Sequence, residues 1–147
     1  MNKIIILAFL MMPFSLVFIN GKDSGNNVPL QSSTFQKSKV AGEKVYKKFC
    51  ISCHQADGGG VPHLTPPLIN TSFVLGDKET LIKIVLNGLK NVDIDEETYS
   101  NPMPPLGSIL KDQQIADVLT YIRNSFGNKA PSVTIDEVKA VRSKTKK

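Results

Sequence analysis

Apolar positions along the chain fall into one solid block and four spaced sets. Ile4 to Ile19 is almost wholly apolar behind Asn2 and Lys3, and the sequence turns abruptly polar at Asn20-Gly21-Lys22-Asp23. Residues 22–37, dominated by Gly, Asn, Ser, Gln and Lys, carry no apolar periodicity and predict a flexible linker, with folding expected from Ser38. From Lys39 to Cys50, the positions Val40, Gly42, Val45, Tyr46 and Phe49 recur at helical spacing opposite a lysine face, which predicts an amphipathic helix. Gly42 inside it costs about 1 kcal/mol relative to Ala, and such a cost points to a second backbone passing close by.

The segment from Gln55 to Leu68 is too rich in Gly and Pro for helix or strand and predicts an irregular loop wrapped around something. Asp77 is placed to cap a helix from Lys78 to Asn87, with Leu81, Ile82, Val85, Leu86 and then Leu89 inward and Gly88 at the stop. Asn91 to Ser100 holds Asp93, Asp95, Glu96 and Glu97, expected as a solvated loop or turn. Leu110 to Phe126 gives the clearest helical stripe, in Ile115, Val118, Leu119, Ile122 and Phe126, with Tyr121 at its border. Gln114 stands where a capping-box residue belongs, Lys111 is a poor N-cap, and Gly127 marks the stop. Thr134 with Glu137 repeats the start signal for a short last helix to about Arg142, within a folded region of 38–143 and before a basic tail at 144–147.

The leading block changes the picture of where the protein works. A short positive start, sixteen apolar residues and a polar return make the layout of a secretory signal over residues 1–21. The alternative is an uncleaved anchor, a membrane tether through residues 4–19, although Pro13 interrupts it and about 20 residues are needed to span. Either way the expected location is periplasmic or otherwise extracytoplasmic. Composition adds less: 41% hydrophobic and 21% charged residues over 147 positions fit one globular domain, and a net charge of +5 is too small for a strong single-sign field, so no nucleic acid partner is expected. Lys44, Lys47 and Lys48 could nevertheless form a basic docking face; the plain alternative is that they only solubilise a helix.

Candidate chemistry concentrates in Cys50-Ile51-Ser52-Cys53-His54, which contains both cysteines of the chain. Two thiols one helical turn apart, followed at once by a histidine, have the spacing for covalent attachment of a c-type haem. Each thiol adds to one vinyl group of the same porphyrin edge, and the imidazole then lies beneath the iron. A redox dithiol is the first alternative, but that use belongs near a βαβ pattern. Zinc is the second, and would need His63, nine positions beyond His54, to complete four ligands. Outside the cytoplasm an unoccupied pair would oxidise to a disulfide, which also favours capture by haem.

Two further positions follow from that cofactor. Met103, bracketed by Pro102, Pro104 and Pro105, is the one methionine beyond the leading block, and a stiff loop there would present its sulfur as a sixth ligand. A His/Met pair raises the reduction potential. A histidine ligand usually donates its second ring N–H to a carbonyl, for which Pro66 and Pro67 are candidates, while Leu68 could cover the haem face.

With these residues in place the chain resembles the class I mono-haem cytochromes c over roughly residues 39 to 127. Gly42, Tyr46 and Cys50 fall at the spacing of that family's first helix, and Val118 with Tyr121 fall where its last helix crosses the first. Pro66 and Leu68 sit at the family's positions for the histidine-bonding carbonyl and the haem-covering leucine. Gly58-Gly59-Gly60, Pro66-Pro67-Leu68 and the run Ile115 to Asn128 look like a narrower branch that serves membrane dehydrogenases, haem-copper oxidases and copper nitrite reductases. The stretch from Tyr99 to Met103-Pro104 belongs to the same branch pattern, but Asp95-Glu96-Glu97 departs from it, since relatives tend to have a glycine before that tyrosine. The resemblance implies an all-α cytochrome c fold of about four helices around one covalent haem c, with Cys50, Cys53, His54, Met103, Pro66 and Leu68 binding the cofactor and His54 and Met103 holding the iron. It implies a one-electron carrier rather than an enzyme, working with a dehydrogenase, terminal oxidase or nitrite reductase. The alternative is a haem enzyme or gas sensor with an open sixth position.

Overall fold

Glycine at position 42 decides how the two principal helices meet. The computed structural model describes residues 30–90 and 93–145. In it α1 (Leu30–Phe49) crosses α5 (Asp112–Ile122) with Gly42 at the contact. A Cβ there would run into the Asp117 carbonyl and lie 2.7 Å from Tyr121 Cβ. The missing side chain therefore lets the two backbones touch, as the sequence led us to expect. Tyr46, one turn further on, is buried against Tyr121 and Phe126 with ring centroids 5.4 and 5.3 Å away.

Between these helices run α2 (Ile51–His54), α3 (Ser72–Leu75), α4 (Lys78–Asn87) and a two-stranded antiparallel hairpin, β1 (Asp93–Ile94) and β2 (Glu97–Thr98). The last helix, α6 (Ile135–Thr145), lies over α4 and α5. Among the described residues four helices of ten residues or more plus two single turns make a predominantly helical fold, and the core is one cluster drawn mainly from α1, α4, α5 and α6, with Val74 of α3 and the loop residues Leu106, Leu110 and Val133. Among the described residues no helix is long and apolar enough to cross a membrane. The apolar block at 4–19 and the expected signal or anchor lie outside the described residues.

Local chemistry accounts for most boundaries. Asp77 caps α4 by accepting from Thr80 N–H at 2.7 Å, and Gly88 ends that helix at φ +80°. Lys111 contributes no side-chain cap to α5; its N–H donates instead to Gln114 Oε1 at 3.0 Å. At α6, Thr134 N–H donates to Glu137 Oε2 at 2.7 Å and Glu137 N–H to Thr134 Oγ1 at 3.3 Å, the reciprocal start signal read from the sequence. Arg142 then ties α6 to Asp112 and to the carbonyls of Gly107 and Leu110.

Three boundaries differ from expectation. Helix α1 begins at Leu30, so residues 30–37 of the expected linker are helical. Residues 32–37 are mostly exposed and lack an apolar stripe, but Ser38 Oγ donates to Asp117 and the first turns extend from the buried part of the helix. Helix α5 stops at Ile122, four residues before Phe126, which takes φ +57°. Its end is decided by tertiary bonds, since Asn128 Nδ2 takes the Ile122 carbonyl at 2.8 Å and Arg123 turns back to other loops. Helix α6 runs past Arg142 to Thr145, so Lys144 of the expected tail is helical and pairs with Glu79 at 3.3 Å.

The acidic stretch is the hairpin. Asp93 pairs with Thr98 and Ile94 with Glu97, leaving Asp95 and Glu96 as a two-residue turn with φ of +52° and +69°. Two positive φ values are what a type I′ hairpin turn demands, a place usually given to Asn and Gly. Asp95 compensates by accepting from Ser72 N–H at the start of α3, and Glu97 meets Tyr99 Oη at 2.9 Å.

Candidate functional site

A cavity of about 220 Å³ opens where α2, α4, α5 and the loops after them converge. Its wall is mainly apolar, with Leu81 and Val85 from α4 and Val118, Leu119 and Ile122 from α5. Cys50, Cys53, His54, Pro66, Leu68 and Met103 all line this one space. The six positions singled out in the sequence, spread over more than fifty residues, are thus brought together.

Each is held by identifiable bonds. Cys50 ends the main-chain ladder of α1, with its N–H on the Tyr46 carbonyl at 2.9 Å, and the N–H groups of Cys53 and His54 return to the Cys50 carbonyl at 3.2 and 3.0 Å. One tight turn therefore presents both thiols and the imidazole to the same side. Burial pushes the Cys50 thiol up to about 11, with the neighbouring Cys53 adding to the shift. A catalytic dithiol needs the opposite, a thiol lowered toward neutrality.

His54 is held neutral by its surroundings. Burial lowers its pKa, outweighing the opposing effect of the bond from Nδ1 to the Pro66 carbonyl at 3.1 Å. With Nδ1–H donating there, Nε2 keeps its lone pair, which is the form of imidazole that binds a metal. Of the two carbonyls the sequence offered, Pro66 is the partner. Gly60 permits this arrangement: it sits at φ +67°, and a Cβ there would lie 2.7 Å from the Pro66 oxygen.

Met103 is fixed by a different part of the chain. Its N–H and carbonyl exchange hydrogen bonds with Leu89 at 2.9 and 3.1 Å, and Gly88 lets the chains approach, since a Cβ there would crowd the Met103 carbonyl. Leu106 and Gly107 N–H groups then cap the Val85 and Leu86 carbonyls at the end of α4, at 2.9 and 3.1 Å. The prolines stiffen the loop and the helix terminus anchors it.

The donor set discriminates between the cofactor readings. His63, which zinc would require, has a side chain 80% exposed and faces Glu97 at 3.2 Å. Among the described residues no group of three or more His, Cys, Asp or Glu could hold a metal ion. What remains is two thiols, one neutral imidazole and one thioether around an apolar cavity, which suits a haem bound through its edge. The sequence reading missed other lining residues, among them Thr65, Thr71 and Asn101 from loops and Phe73 from the single turn of α3, segments too irregular or too short to show periodicity. On the expected basic face, Lys47 pairs with Glu43 at 2.6 Å and Lys48 lies 5.1 Å from the ring centroid of Phe49, itself a cavity residue.

A family model for cytochrome c matches residues 40–126. The chain belongs to the cytochrome c family. Family membership carries a covalently bound haem c with its iron, and with it an electron-transfer role. The cytochrome is 37% identical over 107 residues to the cytochrome c subunit of a quinone alcohol dehydrogenase from Gluconacetobacter polyoxogenes, covering 71% of this chain and 23% of that one. It is 32% identical over 133 residues to a gluconate 2-dehydrogenase cytochrome c subunit from Pantoea cypripedii, covering 84% and 30%. A likeness of more equal length is to cytochrome c-552 of Thermus thermophilus, 34% identical over 118 residues and covering 73% and 78%. The cytochrome thus spans roughly a quarter of the length of the dehydrogenase subunits it matches.

Proposed function

We propose that this cytochrome is a one-electron carrier between a dehydrogenase and an extracytoplasmic acceptor, with its haem attached through Cys50 and Cys53 and its iron held by His54 and Met103. The observation that carries the reading is the convergence of these four side chains on one apolar cavity. The haem supplies the one-electron couple of its iron. Cys50, just before α2, and Cys53 on it would hold the haem covalently, and His54, with Nδ1 on the Pro66 carbonyl, would offer Nε2 to its iron. Met103 would offer its thioether to the same iron, a pairing that favours the reduced state more than two histidines would. Leu68, Val118 and Leu119 line the cavity with apolar surface and would keep water from the cofactor, so that fewer solvent dipoles need to reorient when an electron is gained or lost.

The dehydrogenase partner is suggested by the names of the relatives; the oxidase and nitrite reductase associations of the family branch are alternatives. Export through residues 1–21, or tethering through 4–19, would place the domain outside the cytoplasm. A gas sensor or haem enzyme would need an open sixth position, and Met103 is pinned beside the cavity by Leu89 and Gly88. Met103→Ala tests this directly. Haem should stay attached, the low-spin spectrum with its methionine charge-transfer band should be lost, and the midpoint potential should fall. An unchanged spectrum and potential would make Met103 a packing residue.

A further inference from the structure

Asn128 is 4% exposed and uses its whole amide. Its Nδ2 donates to the carbonyls of Leu68 at 2.7 Å and Ile122 at 2.8 Å, and its Oδ1 accepts from Asn70 N–H at 2.8 Å. The partners fix which way the amide points, because carbonyls take only the NH2 group and an N–H only the oxygen. One side chain thus joins the end of α5 to the Leu68–Asn70 segment. That segment continues directly from Pro66, whose carbonyl receives His54 Nδ1.

The same loop is held at a second point. Leu68 N–H donates to the Gly58 carbonyl at 2.7 Å, and Gly58, at φ +74°, lies under the Phe126 ring, where a Cβ would come within 2.7 Å of the ring. Between these attachments, Pro66 follows a turn closed on itself by Val61 and Thr65, at 2.9 and 2.8 Å. The Pro66 carbonyl, against which Gly60 packs, is therefore held on its C-terminal side by Asn128 and by the Gly58 carbonyl beneath Phe126.

We propose that Asn128 is a positioning residue for the His54 side of the cofactor: by holding Leu68 and Asn70 on α5 it fixes the Pro66 carbonyl, and through it the orientation and basicity of the His54 ring. The proposal rests on His54 being the iron ligand. A ligand histidine that donates to a well-placed carbonyl is more basic and favours the oxidised metal. Loosening that carbonyl should then shift the couple toward the reduced form. Neither Ala, which has no polar group, nor Ser, which has one hydroxyl, can replace two donors and an acceptor.

The test compares Asn128→Ala and Asn128→Ser with Thr120→Val in the haem-loaded protein. Thr120 is a matched control, since its hydroxyl also makes two buried bonds near the end of α5, with the Val133 carbonyl at 3.1 Å and its N–H at 3.0 Å. We expect the Asn128 variants to move the one-electron equilibrium about two- to fivefold toward the reduced form, less than for a direct partner of a metal ligand and measurable at 59 mV per tenfold. The hyperfine-shifted resonances of the His54 ring should move as well. Thr120→Val should lower stability but leave potential and resonances in place. If Asn128→Ala does not accumulate, Asn128→Ser decides by the same readings, and Gly58→Ala should shift the potential in the same direction from the other attachment. Loss of stability with unchanged potential and resonances in the Asn128 variants would reduce Asn128 to a cap on α5. A parent protein without a histidine-ligated spectrum would instead sink the ligand assignment, so the two failures are distinguishable.

Discussion

Replacing Gly42 with Ala sets two effects of opposite sign against each other. In an isolated helix the change is stabilising by about 1 kcal/mol. Here the new methyl would meet the Asp117 carbonyl and approach Tyr121 Cβ to 2.7 Å, whereas carbon atoms in comfortable contact lie about 3.5–4.0 Å apart. The helices must part by about 1 Å, because a backbone carbonyl cannot rotate away as a side chain could. Overpacking costs about 1–3 kcal/mol, and the rigid neighbour places this case at the upper end. The net loss is then about 2 kcal/mol after the propensity gain. With a urea slope of about 2 kcal/mol/M, the unfolding midpoint of the haem-loaded protein should fall by about 1 M. Gly127→Ala is the comparison, since Gly127 sits at φ +84° with nothing within 4 Å and should lose only about 1 kcal/mol to left-handed strain. A midpoint for Gly42→Ala equal to or above that of the parent would refute the close crossing of α1 and α5.

Cys50→Ala and Cys53→Ala should accumulate poorly or without haem, read from the ratio of haem absorbance to protein; normal yields of folded, haem-free protein would count against attachment at this turn. Glu96→Gly should raise stability by about 0.5 kcal/mol, because Glu96 is exposed at φ +69° where only glycine is unstrained; a lowered midpoint in denaturant would contradict the type I′ turn. Acid should destabilise the fold below about pH 4. The Thr80 N–H and hydroxyl bonds hold the Asp77 carboxyl below its ordinary value, and Glu137 is likewise lowered, burial pushing it up but bonds from Lys78 and Thr134 winning. Carboxyls lowered on folding contribute stability above their unfolded pKa and lose it as pH falls through the folded one. Asp77→Asn keeps a cap acceptor without the charge, so its stability should decline less steeply on acidification, and identical slopes would remove Asp77 from that account.

How much of this was legible beforehand depended on whether local or distant partners decided each feature. Helix α4 was readable from end to end because Asp77, Gly88 and its apolar stripe are local signals. The cofactor turn was readable because its chemistry needs consecutive residues, and Met103 because prolines flank it. The early start of α1 was hidden, since residues 32–37 are mostly exposed and the stretch shows no stripe for a pattern to register. The early end of α5 was hidden for the opposite reason: Phe126 continues the stripe in sequence, yet Asn128 and Arg123 bond to loops 60 and 49 residues away. The hairpin turn was disguised by Asp95 and Glu96 standing where Asn and Gly would have announced it. Arg123, 2% exposed, with its guanidinium donating to the carbonyls of Val74, Gly76 and Pro131, gave no sign of burial, because a charged residue at the end of a helix ordinarily faces water and its carbonyl partners lie in loops distant in sequence.

The unbroken run of α1 has a mechanical meaning. Twenty residues at 1.5 Å each make a rod of about 30 Å from Leu30 to Phe49, and Cys50 follows at once. The seam at Gly42 fastens this rod part-way along its length to α5. A pull or twist applied at Leu30 is therefore carried along one stiff member into that seam, rather than into the loops that hold His54 and Met103. Cys50, whose N–H closes on the Tyr46 carbonyl, is the first residue beyond this rod, so the start of the cofactor turn is tied to the same member.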